Sequence, residues 1–309
     1  MRVTSGNMMS SYLKDIQKNL QSMDKLNTQL NTGNQINRVS DDPLKAVKIM
    51  NLNNEISDVE KYNYNIDETT GWLDLTDSAL DTIGTLTSEI KTLLTSISGT
   101  FGKDEIKAVA ADVNGKIEQI GEALNTSYGG KYIFGGSITD EPPVKVTTNK
   151  DGIVSLTFRN VDANGDPNKA LNDSLSAQVS SGISVDYNLT ATEVSNSGKL
   201  FDMFGELTQA LNKDTVDTDK ISELSKQLDD YLSDILNKRS IVGSRTNTIQ
   251  TIKNTNDENM LEMKGVLSNI QDVDVTEKFI QLKSAEMVYT ASLQVTAKIF
   301  NNTILDYLR

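Results

Sequence analysis

Residues 221–270 read ISELSKQLDDYLSDILNKRSIVGSRTNTIQTIKNTNDENMLEMKGVLSNI, and this stretch decides the fold. Ile221, Leu224, Leu228, Tyr231, Ile235, Val242, Ile249, Ile252, Met263, Val266 and Ile270 fall on steps of three and four or on their sums. That spacing puts them on one narrow seam, the mark of a helix that pairs lengthwise with another helix. Lys238, Arg245, Asn256 and Asn259 hold the remaining places of the register. Polar residues in such a seam cost stability and fix register. Between Glu206 and Arg309 there is no proline, and the only glycines are Gly243 and Gly265, so nothing local breaks the pattern.

A partner for this seam lies early in the chain. Ser40-Asp41-Asp42-Pro43 is a helix start, with an acidic or hydroxyl N-cap before a proline at the first helical position. From there a stripe runs through Ile49, Leu52, Ile56, Val59, Asn63, Ile66 and Leu73 to Leu80. It is read as shifting phase at Leu80 and continuing through Ile83, Ile90, Leu93 and Ile97. Gly71 is a candidate bend, and Gly99 and Gly102 close the pattern. A further helix is expected over about 104–125, on Ile106, Val109, Val113, Ile117, Ile120 and Leu124.

Both ends of the chain carry stripes of their own. Leu13, Ile16, Leu20, Met23, Asn27 and Leu30 alternate steps of three and four, and Leu282, Tyr289, Leu293, Ile299, Phe300, Ile304 and Leu308 make a similar stripe. With no third local helix to cover them, they are read as assembly surfaces, zipping the termini together or to neighbouring copies. The middle differs in character. Tyr128-Gly129-Gly130-Lys131-Tyr132-Ile133-Phe134-Gly135-Gly136 is read as a hinge leading into a β-rich insert, with Asn149-Lys150-Asp151-Gly152 as a hairpin turn. Few contacts are expected to cross the loop-like ends of that insert, which makes it dispensable for the helical body. The expected fold is mainly α, an elongated antiparallel helical bundle or coiled coil with a small inserted β-rich domain. Its parts are a tail helix and linker (1–42), the first half of a helical rod (43–140), the insert (141–196), the second half of the rod (197–271) and a C-terminal tail helix (272–309).

Composition narrows the function. The 309 residues include no Cys and no His, which removes thiol chemistry, imidazole acid–base catalysis and nearly all zinc sites. A formal charge of −13 argues against a nucleic-acid partner, because phosphate recognition needs clustered Lys and Arg. No apolar run reaches the ~18 residues that a membrane span requires. Met1-Arg2-Val3-Thr4-Ser5 offers no apolar core of a secretory signal. The expectation is a non-enzyme with no catalytic residue, no cofactor and no metal. Asp41-Asp42 is accounted for as a helix cap, and the glycine-rich 129–136 lacks the Lys-Ser/Thr ending of a phosphate loop.

Met1-Arg2-Val3-Thr4, Gln29-Leu30-Asn31-Thr32-Gly33, Ile36-Asn37-Arg38, Ser40-Asp41-Asp42-Pro43, Trp72-Leu73, Thr76-Asp77-Ser78-Ala79-Leu80, Gly129–Gly136 and the run Tyr289–Ile299 with Leu305-Asp306-Tyr307-Leu308 follow one another in a specific order. In that order and spacing the chain resembles the hook-associated protein 3 family of bacterial flagella, the hook–filament junction proteins of the flagellin superfamily. The likeness covers roughly 1–143 and 200–309; the insert carries no motif of it. It implies a flagellin-like fold and a structural adaptor between hook-associated protein 1 and flagellin. It also implies export in unfolded form by the flagellar type III apparatus, which explains a missing signal peptide. The implied partners are hook-associated protein 1, flagellin, copies of itself and an export chaperone on the C-terminal helix. The expected location is the extracellular flagellum, with no membrane insertion. Two other readings compete: flagellin itself, and more distantly a carboxylate glycosidase using Asp162, Asp166, Asp173 or Asp186, which stand at turn positions where solvated Asp is ordinary.

Overall fold

The computed structural model describes residues 2–97, 102–149, 152–162, 167–213 and 218–305, with side chains from Asn7 to Lys298 in those segments. They form α1 (Arg2–Thr32), α2 (Pro43–Ser96), α3 (Lys103–Leu124), strands β1 to β6, α4 (Ala191–Val194), α5 (Lys199–Leu211), α6 (Thr218–Gln271) and α7 (Val275–Leu305). The fold is mainly α, as the seam spacing requires. The chain divides into two compact units, residues 1–58 with 258–309, and residues 59–257.

In the unit 59–257, α6 keeps a strict seven-residue repeat. Ile221, Leu224, Leu228, Tyr231, Ile235, Val242, Ile249 and Asn256 are all buried. The facing stripe on α2 is Ile66, Thr69, Leu73, Thr76, Leu80, Ile83, Thr87, Ile90 and Leu94, also buried. The phase shift expected at Leu80 therefore falls earlier, between Ile66 and Thr69. The three seam threonines return their hydroxyl protons to the carbonyls of Asn65, Trp72 and Ile83 at 2.7–2.8 Å, so their burial leaves no orphaned donor. Each fully buried Leu or Ile contributes on the order of 1.5–3 kcal/mol of transfer free energy.

Polar contacts along the rim show that α2 and α6 run antiparallel. Asn63 Nδ2 donates to Asp257 Oδ1 at 2.7 Å, and Lys253 pairs with Asp67. Arg239 forks onto Asp77, with Nε to Oδ1 at 2.9 Å and Nη2 to Oδ2 at 3.1 Å, and also reaches Asp81. Lys91 pairs with Asp229. As the number rises on α2 it falls on α6 by a matching step, so every contact demands one register. Exposed pairs of this kind are worth only ~0–1 kcal/mol each, so their role is alignment more than stability.

The strands form three separate antiparallel pairs: β1 (Ser127–Tyr128) with β2 (Lys131–Tyr132), β3 (Val144–Thr148) with β4 (Val154–Phe158), and β5 (Ser176–Ser180) with β6 (Ile183–Asp186). A two-stranded ladder is marginal alone, and each of these takes the helices as its second layer. Val144, Val154, Leu156 and Val179 lie in the same buried core as α2, α3, α5 and α6. A Cβ on Gly121 of α3 would stand 2.6 Å from Val146 Cγ2, so the ladder packs directly on the helix backbone. Phe158 packs against Phe201 of α5 with ring centroids 4.9 Å apart and planes inclined at 55°. Asn114 Oδ1 accepts from the Val154 N–H, and Asn125 bonds both the N–H and the carbonyl of Val144. The expectation that few contacts cross the ends of the insert does not hold.

The glycine-rich 128–136 is also not a hinge. Gly129 and Gly130, at φ 56° and 81°, close the β1–β2 hairpin, a turn that needs positive φ at both central residues. Ile133 and Phe134 behind it are buried, and the Phe134 carbonyl accepts from the Ala191 N–H. Gly136 sits at φ 62° with the site of a Cβ only 2.5 Å from the Ala170 carbonyl oxygen. Gly71 marks no break in α2; its missing side chain makes room for the Tyr128 hydroxyl, 2.6 Å from where a Cβ would lie.

Two substitutions of one kind should therefore act in opposite directions. Gly136→Ala meets backbone in a left-handed conformation and should lower the melting temperature, at a cost of about 2–4 kcal/mol. Gly115→Ala, in open space within α3, should raise stability by about 0.5–1 kcal/mol. The Tyr231 hydroxyl is buried in the α6 seam with no hydrogen-bond partner, and burial raises its pKa, with the nearby Asp234 charge adding to the effect. Tyr231→Phe removes an unsatisfied donor and should stabilise the unit by about 1 kcal/mol, read as a higher denaturant midpoint at unchanged slope.

Candidate assembly surface

In the unit 1–58 with 258–309, α1 and α7 pair through a clasp at one end and a seam along their length. Gly33, at φ 72°, ends α1 and its N–H bonds back to the Gln29 carbonyl at 3.0 Å, a left-handed C-terminal cap. The chain then forms a short β bridge, Asn34 opposite Asp272. Within it the Val273 N–H donates to the Gly33 carbonyl at 2.9 Å and the Gln35 N–H to the Gln271 carbonyl at 2.6 Å. Two side chains brace the bridge. Buried Gln29 donates Nε2 to the Gln35 carbonyl at 2.6 Å, and Gln271 Nε2 donates to Asn34 Oδ1 at 3.2 Å.

The linker then leads into α2. Asp42 is the N-cap, its Oδ1 accepting from the Lys45 N–H at 3.1 Å ahead of Pro43. Asp41 instead accepts from the Arg38 N–H and pairs with Lys25 at 2.9 Å. The hydrogen bond from Lys25 holds the Asp41 carboxyl below the ordinary carboxylate range, so this tie is complete at neutral pH and is lost on acidification through that lowered value.

Along the pair, Met9, Tyr12, Ile16, Asn19, Met23, Leu26 and Leu30 of α1 are buried or half-buried on steps of three and four, with Thr28 and Gln29 covered beside them toward the clasp. On α7 the matching series is Lys278, Leu282, Ala285, Tyr289, Ser292 and Thr296, with Glu286 half-buried beside it. Asn19 Nδ2 crosses to the Ala285 carbonyl at 3.1 Å. Of the residues read from the sequence as a terminal interface, Ile16, Met23, Leu30, Leu282 and Tyr289 lie on this intramolecular seam. Leu13, Leu20 and Leu293 do not; they are 50%, 43% and 44% exposed. Leu13 and Leu20 stand about a quarter turn from the α1 seam. The side chains of Ile299, Phe300 and Ile304, and all of Leu308, lie outside the described residues.

The sequence reading missed Tyr12, Leu26 and Gln29. A repeat started from Leu26 and run back through Asn19 would have found the stripe, but Asn19 breaks its apolar pattern. The reading also missed that α7 is apolar on more than one side. Phe279, Ile280, Met287, Val288 and Val295 are 45–66% exposed, spread around the helix away from the seam. A helix apolar around its circumference is ordinarily one that is buried.

Elsewhere, a groove of about 540 Å³ in the unit 59–257 is lined by Trp72, Tyr128, Tyr187, Glu68, Lys131 and Gln178 among others. Trp72 meets the rings of Tyr128 and Tyr187 edge-on, at 6.2 and 5.5 Å. None of Asp162, Asp173 and Asp186 lines it. Asp166 lies outside the described residues. No helix among the described residues is long and apolar enough to cross a membrane.

A pair of terminal helices, a long antiparallel coil and short ladders packed on it define the class: a flagellin-like helical protein. Residues 3–139 match the family model of the bacterial flagellin N-terminal helical region. Over almost the whole length the chain is similar to flagellar hook-associated protein 3. The Salmonella typhimurium protein is 25% identical over 318 aligned positions, covering 98% of this chain and 96% of that one. The Escherichia coli protein is 22% identical over 319, with the same coverage. Solved structures share the fold. A proposed flagellar hook-associated protein from Vibrio parahaemolyticus has a TM-score of 0.64 at 19% identity, over 75% of this chain and 100% of that one. Flagellar hook-associated protein 3 from Legionella pneumophila has a TM-score of 0.59 at 14% identity, over 72% and 98%. The resemblance to hook-associated protein 3 thus runs over almost the whole chain, and it supports a structural role in the flagellum.

The seam makes a local prediction. Leu282→Ala should open the α1–α7 pair, at a cost of about 1.4–2 kcal/mol for a partly walled site, and so raise amide hydrogen exchange in both helices about tenfold or more. Leu293→Ala, on the exposed side, should leave exchange within about twofold of wild type.

Proposed function

We propose that this protein is a non-enzymatic junction piece of the flagellar axis, set between hook-associated protein 1 and flagellin and assembled through its terminal helices. The observation that carries the reading is α7: one side rests on α1, yet apolar residues such as Ile280, Met287 and Val295 stand bare on other sides. Such a helix is stable in water only as a compromise, and its exposed apolar surface calls for a cover. In the assembled axis that cover is the terminal helices of neighbouring copies and of the adjoining axial proteins. Before assembly it is an export chaperone that takes the C-terminal helix into a groove. Passage through the type III apparatus in unfolded form fits a chain without cysteine, which carries no cross-link to undo. End-to-end similarity to two hook-associated proteins favours the junction over the bulk filament. Leu293 and Phe300 belong to the proposed cover surface; Leu282 and Tyr289 serve it from beneath by holding α7 on α1.

The test pairs two substitutions. Leu293→Asp with Phe300→Asp should weaken chaperone binding at least tenfold and abolish incorporation at the hook tip. The melting of the unit 59–257 should stay unchanged, because buried charge is costly only where the surface is covered. Electron microscopy of complemented cells should then show hooks without filaments, with flagellin lost to the medium. A double variant that binds chaperone and supports filaments like wild type removes the terminal helix from the interface.

A further inference from the structure

The two units differ in charge and in apolar exposure, and the differences run in opposite directions. The unit 1–58 with 258–309 holds 12 Lys and Arg against 13 Asp and Glu, a net charge of −1 over 110 residues. The unit 59–257 holds 18 against 30, a net charge of −12 over 199 residues. Nearly the whole formal charge of −13 thus sits in one unit. Among the described residues, 15 of the 20 exposed large hydrophobic side chains belong to the nearly neutral unit and five to the acidic one. A division by length would give the smaller unit about a third of each. The acidic surplus is also outward-facing. Asp74 on α2, Glu118 and Glu122 on α3, and Asp230 on α6 are all exposed.

We infer that the unit 59–257 is an electrostatic brake on self-association, which itself proceeds between copies of this chain through the unit 1–58 with 258–309. The inference rests on the proposed assembly through the terminal helices and adds what regulates it. The occupant of the bare α7 surface is a second copy, for a reason of charge. Two nearly neutral apolar surfaces meet without repulsion, whereas two units of −12 brought side by side repel. The attraction is apolar burial, which needs no charge. The repulsion reaches about 30 Å at 0.01 M salt, about 8 Å at 0.15 M and about 3 Å at 1 M. In dilute low-salt solution the brake holds the chain as a monomer. It is released wherever counterions crowd the acidic unit.

Sedimentation velocity of the full chain across 0.02–1 M sodium chloride tests this. Wild type should be monomeric at the low end, with its apparent self-association constant rising at least about tenfold by 0.5 M. A variant with Asp74→Asn, Glu118→Gln, Glu122→Gln and Asp230→Asn lowers the acidic unit to −8 and should reach the same degree of association at clearly lower salt. Salt also strengthens apolar burial directly, so the variant is the decisive arm. Coincident curves for the two proteins overturn the brake and leave simple salting-out. So does a wild type that loosens as salt rises, or one that stays monomeric throughout. A separate variant, Ile280→Asp with Met287→Asp, should stay monomeric at every salt concentration while keeping its helical circular dichroism. If it associates as wild type does, the terminal-helix reading fails, and the shift between the other two curves still decides the brake.

Discussion

The pairing of α6 with α2 in a single register is the constraint on which the unit 59–257 depends. A seven-residue repeat gives many equivalent ways for two helices to slide past each other in steps of one repeat. Apolar side chains alone discriminate poorly among them. Here the polar positions do the discriminating. Asn256 is 3% exposed and donates through Nδ2 to Asn63 Oδ1 at 3.2 Å and to the Val179 carbonyl at 2.9 Å. Shifted by a repeat, that buried amide would lose both acceptors, at a penalty of about 1–3 kcal/mol. Arg239 between Asp77 and Asp81, and Lys253 at Asp67, report the same alignment from the rim.

The strand pairs inherit that register. Asn65 of α2 donates to the Gln178 carbonyl, Asn256 of α6 to the Val179 carbonyl, and Arg245 of α6 to the Asn188 carbonyl. Three side chains in or beside the helical seam thus hold the backbone of β5 and the stretch after β6. A segment whose sequence offers only short alternations gains its position from side chains more than fifty residues away. This is why the middle of the chain behaves as a layer of the core and not as an appended module.

The unit formed by the two ends follows a different economy. Its seam is interrupted by Asn19, Lys278, Ser292 and Thr296, and among the described apolar residues of that α1–α7 seam only Leu26 and Leu282 are buried. The clasp of backbone hydrogen bonds around Asn34 and Asp272 fixes where the helices meet. Beyond the clasp, packing is thin, and α7 keeps much of its apolar surface outward. A terminal pair built this way is held together enough to present a surface, while the free energy of covering that surface is left for association. A flagellar structural role, which requires joining other subunits, makes sense of an element that is poor as a core and rich as an interface.

The seam of α6 was legible from residue spacing, because periodicity records which side of a helix meets apolar matter. So was the start of α2 at Pro43, because capping chemistry is local. The likeness to hook-associated protein 3 was likewise carried by motifs in order. What spacing could not decide was which of two adjacent stripes on α1 is covered. Leu13 and Leu20 are as apolar as Leu26 and Leu30, and only the approach of α7 separates them. It also could not tell a hinge from a packed turn at Gly129–Gly136, since glycine permits both and the Ala170 carbonyl beside Gly136 comes from thirty-four residues away. The sequence by itself determined the helices, their caps and the seams available for pairing, all of which depend on neighbours within a few residues. Only the tertiary structure decided which seam is filled, which is left bare, and that the strands belong to the core, because those outcomes depend on contacts between residues that the chain keeps far apart.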